Sequence, residues 1–138
     1  MNVAVRYYTR SGNTEKLAKA IGGALDVESR TIDAPLTEKV DVLFLGCSYY
    51  AFDVDDKVKK FLVDNKDFIG KIVCFGTSAM MKSIKRPIKR AVRNRGIEIA
   101  EQEFHCRGQF GRIHKGRPNA QDLLNAIEFA KKILGSER

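Results

Sequence analysis

The chain has 138 residues with a formal net charge of +8 at pH 7, and 43% of its residues are hydrophobic. A chain of this length fits one domain over residues 1–138 and can bury a core without disulfide bridges or metal ions. No apolar run approaches the roughly 20 residues of a membrane-spanning helix, and no signal peptide opens the chain, so we do not expect a membrane protein.

The first half of the chain predicts a strand, a helix and two further strands. Residues 2–8 are rich in β-branched and aromatic side chains and form the first predicted strand. The next segment repeats a large aliphatic side chain every four residues from Leu17, which is typical of the buried stripe of a helix. Residues 27–32 predict a short polar edge strand, and the continuous apolar run 40–46 predicts a strand covered on both faces.

The second half predicts helices and strands in alternation. Residues 53–65 begin with carboxylates, which favour a helix N-terminus, and residues 71–77 form a second buried strand. A basic helix follows with Pro87 in its first turn, and residues 97–104 form the last strand. A final helix is expected over 120–134.

The order of these elements predicts the fold class. Asn119 and Asp122 have the spacing of a helix cap and mark the start of the last helix. Strands that alternate with helices form a parallel sheet with helices on both faces. We therefore expect an α/β domain built on a five-stranded parallel sheet.

Between the first strand and the first helix lies a loop of small hydroxyl residues, Thr9-Arg10-Ser11-Gly12-Asn13-Thr14. Ligands of parallel sheets bind outside the carboxyl ends of the strands, and amides at a helix N-terminus attract an anion. Gly12 lets the backbone curve close to that anion. The loop therefore predicts a phosphate site, and the alternative is a helix cap at Ser11 or Asn13 with nothing bound. No dinucleotide or nucleoside triphosphate fingerprint is present.

The same six residues resemble the phosphate loop of flavodoxins, T-x-[ST]-G-N-T. Residues 45–51 and 75–79 resemble the family's loops after the third and fourth strands, and the segment 104–131 is similar to the tail of short bacterial members. The resemblance spans the whole chain. It implies a flavodoxin-like three-layer sandwich with strand order 2-1-3-4-5, and it implies flavin mononucleotide (FMN) as the cofactor.

The resemblance also implies which residues contact FMN. The first loop would hold the phosphate, with the side chain of Arg10 expected to point outward. The loops after the third and fourth strands would hold the flat ring, with Tyr50 as the expected stacking contact because similar sequences place Tyr or Trp there. The implied contacts are Thr9, Arg10, Ser11, Gly12, Asn13, Thr14, Ser48, Tyr49, Tyr50, Ala51, Thr77, Ser78, Ala79 and Met80. No catalytic residue and no metal ligand is expected, since the cofactor supplies the redox chemistry.

The cysteines predict a reducing environment. Cys47 and Cys74 lie in apolar runs without CxxC spacing, which is typical of reduced core thiols and predicts a cytoplasmic protein. Cys106 and Arg112 satisfy the Cys-x5-Arg spacing of phosphotyrosine phosphatases. A phosphatase would continue into a helix after the arginine, whereas a loop is predicted here, so this interpretation is disfavoured.

The net positive charge comes from the second half of the chain. Residues 1–70 contain 10 Lys and Arg against 11 Asp and Glu, whereas residues 71–138 contain 15 against 6. The segment 82–95 holds seven cations and no acid, and it forms either a solvated face or a docking surface. The cations expected to be exposed on it are Lys85, Lys89, Arg90 and Arg93. Flavodoxins are usually acidic around the flavin, so the reversed sign predicts redox partners with an acidic docking face.

These observations together predict an FMN-binding electron-transfer protein that shuttles electrons between redox partner proteins. Two alternatives stay open. One is an FMN-dependent oxidoreductase that resembles the protoporphyrinogen oxidases or quinone reductases of flavodoxin fold. The other is a basic domain that binds phosphates or nucleic acid without flavin, although no interleaved aromatics or recognised motif support nucleic acid. The sequence leaves the oligomeric state open, and a monomer is favoured.

Overall fold

The structure, a computed structural model, describes residues 1–48, 54–78, 83–109, 112 and 114–137. The described strands are β1 (Val3–Tyr8), β2 (Ser29–Thr31), β3 (Val40–Ser48), β4 (Ile69–Ser78) and β5 (Glu98–Arg107). The described helices are α1 (Asn13–Leu25), α2 (Asp56–Asp64), α3 (Lys85–Ala91) and α4 (Ala120–Glu137), with a 3₁₀ turn at Lys66–Phe68. No helix in these ranges is both long enough and apolar enough to cross a membrane.

The strands form one parallel sheet in the order β2-β1-β3-β4-β5, which confirms the predicted fold class and strand order. The register aligns Tyr8 with Cys47, Cys47 with Gly76 and Gly76 with His105. Four strands therefore end at the same edge of the sheet. The loops that follow β1, β3, β4 and β5 leave from this edge, where ligands of parallel sheets bind.

Each face of the sheet is covered by two helices, which completes three layers. On one face α1 and α4 pack on the sheet through the buried side chains Leu17, Ile21, Ala126 and Ala130. On the other face α2 and α3 pack through the buried side chains Val58, Leu62, Ile88 and Val92. The predicted inward positions Leu17 and Ile21 are therefore buried, whereas Leu25 is only partly buried. The central strands are apolar on both sides, as continuous apolar runs predict.

The connection 32–39, all of it within the described part, joins β2 to β3 through turns and bends instead of a helix. Two buried side chains fix it. The guanidinium Nε of Arg6 donates to the carbonyl oxygen of Ala34 at 2.9 Å. Asn65 Oδ1 accepts from the amide of Leu36 at 2.9 Å, so a side chain of β1 and a side chain that follows α2 both hold the connection.

The start of α4 confirms the predicted cap. Asn119 Oδ1 accepts from the amide of Asp122 at 2.9 Å, and Asp122 Oδ2 accepts from the amide of Asn119 at 2.8 Å. Arg117 donates to the same carboxylate through Nε at 2.6 Å and Nη2 at 2.8 Å. The amide of Gln109 donates to the carbonyl oxygen of Arg117 at 2.9 Å, so this cap also fixes the loop that follows β5.

Candidate functional site

The first loop turns sharply at Gly12, which is the N-cap of α1 and has φ 86°. Its amide donates to Thr9 Oγ1 at 3.0 Å, which closes the loop on itself. No side-chain hydrogen bond caps α1 at this residue. The alternative in which Ser11 or Asn13 caps the helix is therefore wrong, because the cap position is held by a glycine in the left-handed region.

The space in front of this turn is open. A Cβ built on Gly12 meets no described heavy atom within 4 Å, and the neighbouring Ser11 is exposed. The hydroxyl of Thr9 accepts a hydrogen bond and still has its own hydrogen to donate. A helix N-terminus, a backbone without a side chain and two hydroxyl groups therefore meet at an open surface, which fits a phosphate monoester.

The side chains of Asn13 and Thr14 point into the protein. Asn13 Nδ2 donates to the carbonyl oxygen of Gln109 at 3.0 Å, and Thr14 Oγ1 lies 3.1 Å from Thr77 Oγ1 in a buried hydrogen bond. These contacts bring the carboxyl end of β4 and the loop after β5 against the first turn of α1. The side chains of Asn13 and Thr14 therefore brace the site. Their backbone amides, rather than these side chains, would bind an anion.

Gly108 permits this close approach. A Cβ there would lie 2.8 Å from Asn13 Nδ2 and 3.1 Å from Thr77 Cβ, and the amide of Gly108 donates to the carbonyl oxygen of Ser78 at 3.2 Å. Sequence reasoning missed Gly108 and Gln109. The signal that could have found them is a glycine directly after the last strand, at the edge where the other loops converge.

The remaining predicted contacts divide into two groups. Ser48 pairs with Thr77 at the ends of β3 and β4, and Ser78 Oγ lies 3.0 Å from His105 Nε2, so the ends of three strands are joined at the site. Five expected contacts lie outside the described residues: Tyr49, Tyr50, Ala51, Ala79 and Met80. In the sequence, Tyr49 follows the last residue of β3 and Ala79 follows the last residue of β4. The two segments of expected ring contacts therefore begin at the carboxyl ends of these strands.

Arg10 of the first loop and Glu15 of α1 are both paired at the surface. Arg10 Nη2 lies 2.7 Å from Asp55 Oδ2, which agrees with the expected outward direction. Glu15 accepts from the Tyr7 hydroxyl at 3.1 Å and lies 3.2 Å from Lys19 Nζ. The ammonium of Lys19 and then the Tyr7 hydroxyl lower the pKa of Glu15, so this carboxylate is ionised within its own pair.

The three cysteines are free thiols, two of them fully buried in the core. Burial raises the pKa of the Cys74 and Cys106 thiols to about 12, and it also raises the pKa of the Cys47 thiol well above its ordinary value. A phosphatase nucleophile needs the opposite shift, because the thiolate is the reactive form. Cys106 is therefore no nucleophile, and the described residues contain no cluster of three or more metal-ligating side chains.

A basic surface lies on α3 and the turn after it. The exposed cations of α3 and the turn after it are Arg86, Lys89, Arg90, Arg93 and Arg95. Lys85, which was expected among them, is only 21% exposed. Its ammonium lies 3.5 Å from Glu101 Oε2 and donates to the Glu101 carbonyl oxygen at 2.8 Å. The prediction for Lys85 is wrong because an acidic neighbour on β5 draws the side chain back to the sheet.

A separate cleft of about 340 Å³ opens beside the first loop, at the carboxyl ends of β1 and β2. It lies on the other side of β1 from β3, β4 and β5. Its lining includes Tyr7, Tyr8, Glu15, Asp33 and Lys57. Among the described residues, Thr9 is the one that this cleft shares with the predicted FMN contacts.

The sequence comparison shows to which family the chain belongs. No family model matches the chain. The chain is 31% identical to the uncharacterized protein MJ0298 of Methanocaldococcus jannaschii, over 88% of this chain and 90% of that protein. Identity at this level over nearly the whole length places both proteins in one family.

The structural comparison shows which fold the chain has. A flavodoxin from the domain Archaea superposes with a TM-score of 0.80 at 18% identity, covering 99% of this chain and 98% of its own. Oxidised flavodoxin 2 of Bacillus cereus gives 0.71 at 17% identity with 99% of both chains covered. A short-chain flavodoxin associated with a bacterial microcompartment gives 0.72 at 15% identity with both chains covered in full. The chain therefore has the flavodoxin fold.

Proposed function

We propose that this chain, which belongs to one family with the Methanocaldococcus jannaschii relative and has the flavodoxin fold, binds FMN and transfers electrons between redox partner proteins. The observation that supports this most directly is the first loop. Gly12 at φ 86° opens the N-terminus of α1 to an anion, while Thr14 and Asn13 fasten that turn to the ends of β4 and β5. These contacts support a braced phosphate site at the edge of the sheet where the proposed ring-binding loops begin.

The parts of FMN would be held by different means. Thr9, Ser11 and the backbone at Gly12 would bind the phosphate by hydroxyls and amides, with no cation of the loop turned toward it. Ser48, Thr77 and Ser78 lie at the strand ends from which the ring-binding segments start. Aromatic side chains in the segment after β3 would cover the ring and exclude water from it.

The redox chemistry belongs to the cofactor, which accepts and donates electrons when bound. The described protein groups support a carrier more than an enzyme. His105 is bonded to Ser78, Glu15 is paired with Lys19, and the thiols have raised pKa values. These side chains are held in structural contacts, whereas acid–base catalysis needs a group that meets a substrate.

The partner of such a carrier is expected to present an acidic face. The cations of α3 and its following turn are exposed on the face of the sheet that α2 and α3 cover. Opposite charge on a partner would speed association through the long-range field. This sign is the reverse of the one that flavodoxins usually show around the flavin.

Rapid mixing separates the carrier from the FMN-dependent oxidoreductase. The FMN-loaded protein is mixed anaerobically with NADPH alone, and then with NADPH and a catalytic amount of a flavodoxin reductase. We expect the flavin absorbance to persist in the first mixture and to bleach in the second. Fast bleaching by NADPH alone would favour a stand-alone enzyme instead.

The same cations are the observation in favour of nucleic-acid binding, and a salt titration tests that alternative. A basic strip binds duplex DNA mainly through phosphates, with an affinity that falls steeply with salt and does not require flavin. Tight DNA binding by flavin-free protein that fails to take up FMN would favour the alternative over the proposed function.

A further inference from the structure

The side chain of Arg10 links two segments that are far apart in the sequence. It leaves the middle of the first loop and reaches Asp55, 45 residues further along, with Nη2 to Oδ2 at 2.7 Å. The Arg10 side chain is 58% exposed, whereas that of Asp55 is 13% exposed. The pair therefore lies at the surface, but its acidic member is set into the protein.

Asp55 is held in place by a second bond. It is the N-cap of α2, and its other oxygen, Oδ1, accepts from the amide of Lys57 at 2.9 Å. The preceding Val54 is buried in the core beneath α2. Each carboxylate oxygen thus has its own donor, and the residue that Arg10 contacts is anchored to the start of a helix.

Tyr8 joins the same network from the end of β1. The bond with Asp55 and then the one with Tyr8 raise the pKa of Arg10. The Lys57 amide, Arg10 and the Tyr8 side chain lower the pKa of Asp55. A phenol can accept from a guanidinium and donate to a carboxylate, so it can serve both partners. The ammonium of Lys57 lies 5.7 Å from the centre of the Tyr8 ring, which closes the network around the start of α2.

We infer that Arg10 is a positioning residue that couples the phosphate loop to the segment leading into α2, and that it is not a ligand of the FMN phosphate. This rests on the proposed function. The segment 49–53, which holds the expected ring contacts Tyr49, Tyr50 and Ala51, ends immediately before Val54 and Asp55. The tie between Arg10 and Asp55 holds the chain at the point where this segment ends, so its loss is expected to act on ring binding.

The two roles for Arg10 make different predictions for two ligands. A phosphate ligand would strengthen FMN and leave riboflavin unaffected, because riboflavin has no phosphate. A positioning residue acts on the geometry of the ring site, so its loss weakens FMN and riboflavin by the same factor. Exposed ion pairs are modest, so we expect a loss of roughly two- to five-fold for each ligand.

The experiment is a double-mutant cycle on flavin-free protein titrated with FMN and with riboflavin. The variants are Arg10→Gln, Asp55→Asn and the double variant, with Arg93→Gln as a control that removes an exposed cation elsewhere. Asp55→Asn keeps an oxygen for the Lys57 amide, so α2 retains its cap. We expect equal losses for the two flavins in each single variant, no further loss in the double variant, and no change for the control.

Three results would overturn the inference. Arg10→Gln could weaken FMN alone while Asp55→Asn leaves it intact, which would make Arg10 a phosphate ligand. Both single variants could bind both flavins as the wild type does. Alternatively, the losses of the two single variants could add in the double variant. Either result would mean that Arg10 and Asp55 form an ordinary surface ion pair without a role in positioning.

Amide hydrogen exchange keeps the inference testable apart from the proposed function. If wild-type protein bound neither flavin, the proposed function would fail, but the coupling could still be measured. We expect Arg10→Gln to speed exchange in the peptide that covers the start of α2, relative to wild type and Arg93→Gln. Unchanged exchange would contradict the coupling.

Discussion

At the scale of single residues, the hydroxyl of Ser11 separates phosphate binding from folding. Ser11 is exposed beside the turn at Gly12, at the N-terminus of α1. A hydrogen bond to a charged group contributes about 1.5–3 kcal/mol. We expect Ser11→Ala to weaken FMN at least several-fold and to leave riboflavin nearly unchanged, as measured by flavin fluorescence titration. Equal losses for both flavins would mean that Ser11 shapes the loop rather than binding phosphate.

The physical reason for glycine at position 12 differs from the one that the sequence suggests. The sequence predicts that a Cβ there would crowd the anion or the turn. In the structure nothing described lies within 4 Å of a Cβ at Gly12, and the backbone angle φ 86° is what favours glycine. An L-residue pays steric strain in this region of backbone space even where room is ample.

The sequence predicted the first loop because its chemistry is local, with the glycine, the hydroxyls and the helix start all within six neighbouring positions. It could not predict the partners of that loop. Asn13 meets Gln109 across 96 residues, and Arg10 meets Asp55 across 45. Such pairs depend on strand order and register, which place distant segments together only after the sheet is formed.

At the scale of elements, Gly108 is the contact point between the end of β5 and the start of α1. Gly108→Ala would bring a methyl group within 2.8 Å of Asn13 Nδ2, so the side chain of Asn13 must move. We expect a loss of about 1–3 kcal/mol in the free energy of unfolding, measured with urea, together with weaker FMN binding. An unchanged stability would mean that the loop after β5 relaxes freely.

The matched control for that variant is Gly23→Ala. Gly23 lies in α1, and a Cβ there meets nothing within 4 Å. Replacing a helical glycine by alanine should stabilise the protein by about 0.5–1 kcal/mol. The opposite signs of the two glycine variants separate a close contact from simple helix propensity.

The cap of α4 predicts a specific dependence of stability on pH. The two bonds from Arg117 and the amide of Asn119 lower the pKa of Asp122 below its ordinary value. A lowered pKa in the folded state stabilises the protein above the unfolded pKa of about 4, and this contribution is lost as the pH falls further. We expect the free energy of unfolding of wild type to fall more steeply below about pH 4 than that of Asp122→Asn.

Glu38→Gln is the control for the pH experiment, because Glu38 is an exposed carboxylate in the connection before β3. It should retain the acid-side slope of the wild type. Parallel curves for wild type and Asp122→Asn would contradict a role of the Arg117 pair in stability.

Strand and helix types were predicted correctly, and the differences lie at their ends. The last strand was expected over 97–104 but extends to Arg107. The added residues His105, Cys106 and Arg107 show no regular alternation of apolar and polar side chains, so their pattern gives no strand signal. Pairing of Thr77 with Cys106 and of Ser78 with Arg107 extends β5. Helix α2 begins at Asp56 rather than at residue 53, because Asp55 is its cap.

At the scale of the whole molecule, the reversed charge predicts the behaviour of electron transfer. We expect the rate with a physiological partner to fall steeply with added salt, since fields are screened beyond about 8–10 Å at physiological ionic strength. Replacing Lys89, Arg90 and Arg93 by Glu should lower the rate and leave FMN affinity nearly intact. Rapid mixing with a reduced partner at several salt concentrations measures this.

A matched variant keeps the change in net charge equal. Lys39, Lys131 and Lys132 are exposed outside α3, and their replacement by Glu should affect the rate much less. A rate indifferent to salt and to both triple variants would leave α3 as an ordinary solvated face. The sequence alone could locate this charge on a helix. It could not predict that Lys85 pairs with Glu101, because that contact depends on where β5 lies beside α3.

The most direct test of the central claim is the visible absorption spectrum of the purified protein, before and after incubation with FMN and removal of free cofactor. The claim is that the loop at Gly12, fastened to β4 and β5, holds FMN. We predict flavin absorption bands with a stoichiometry near one FMN per chain. A colourless protein that takes up no FMN under these conditions would contradict the claim.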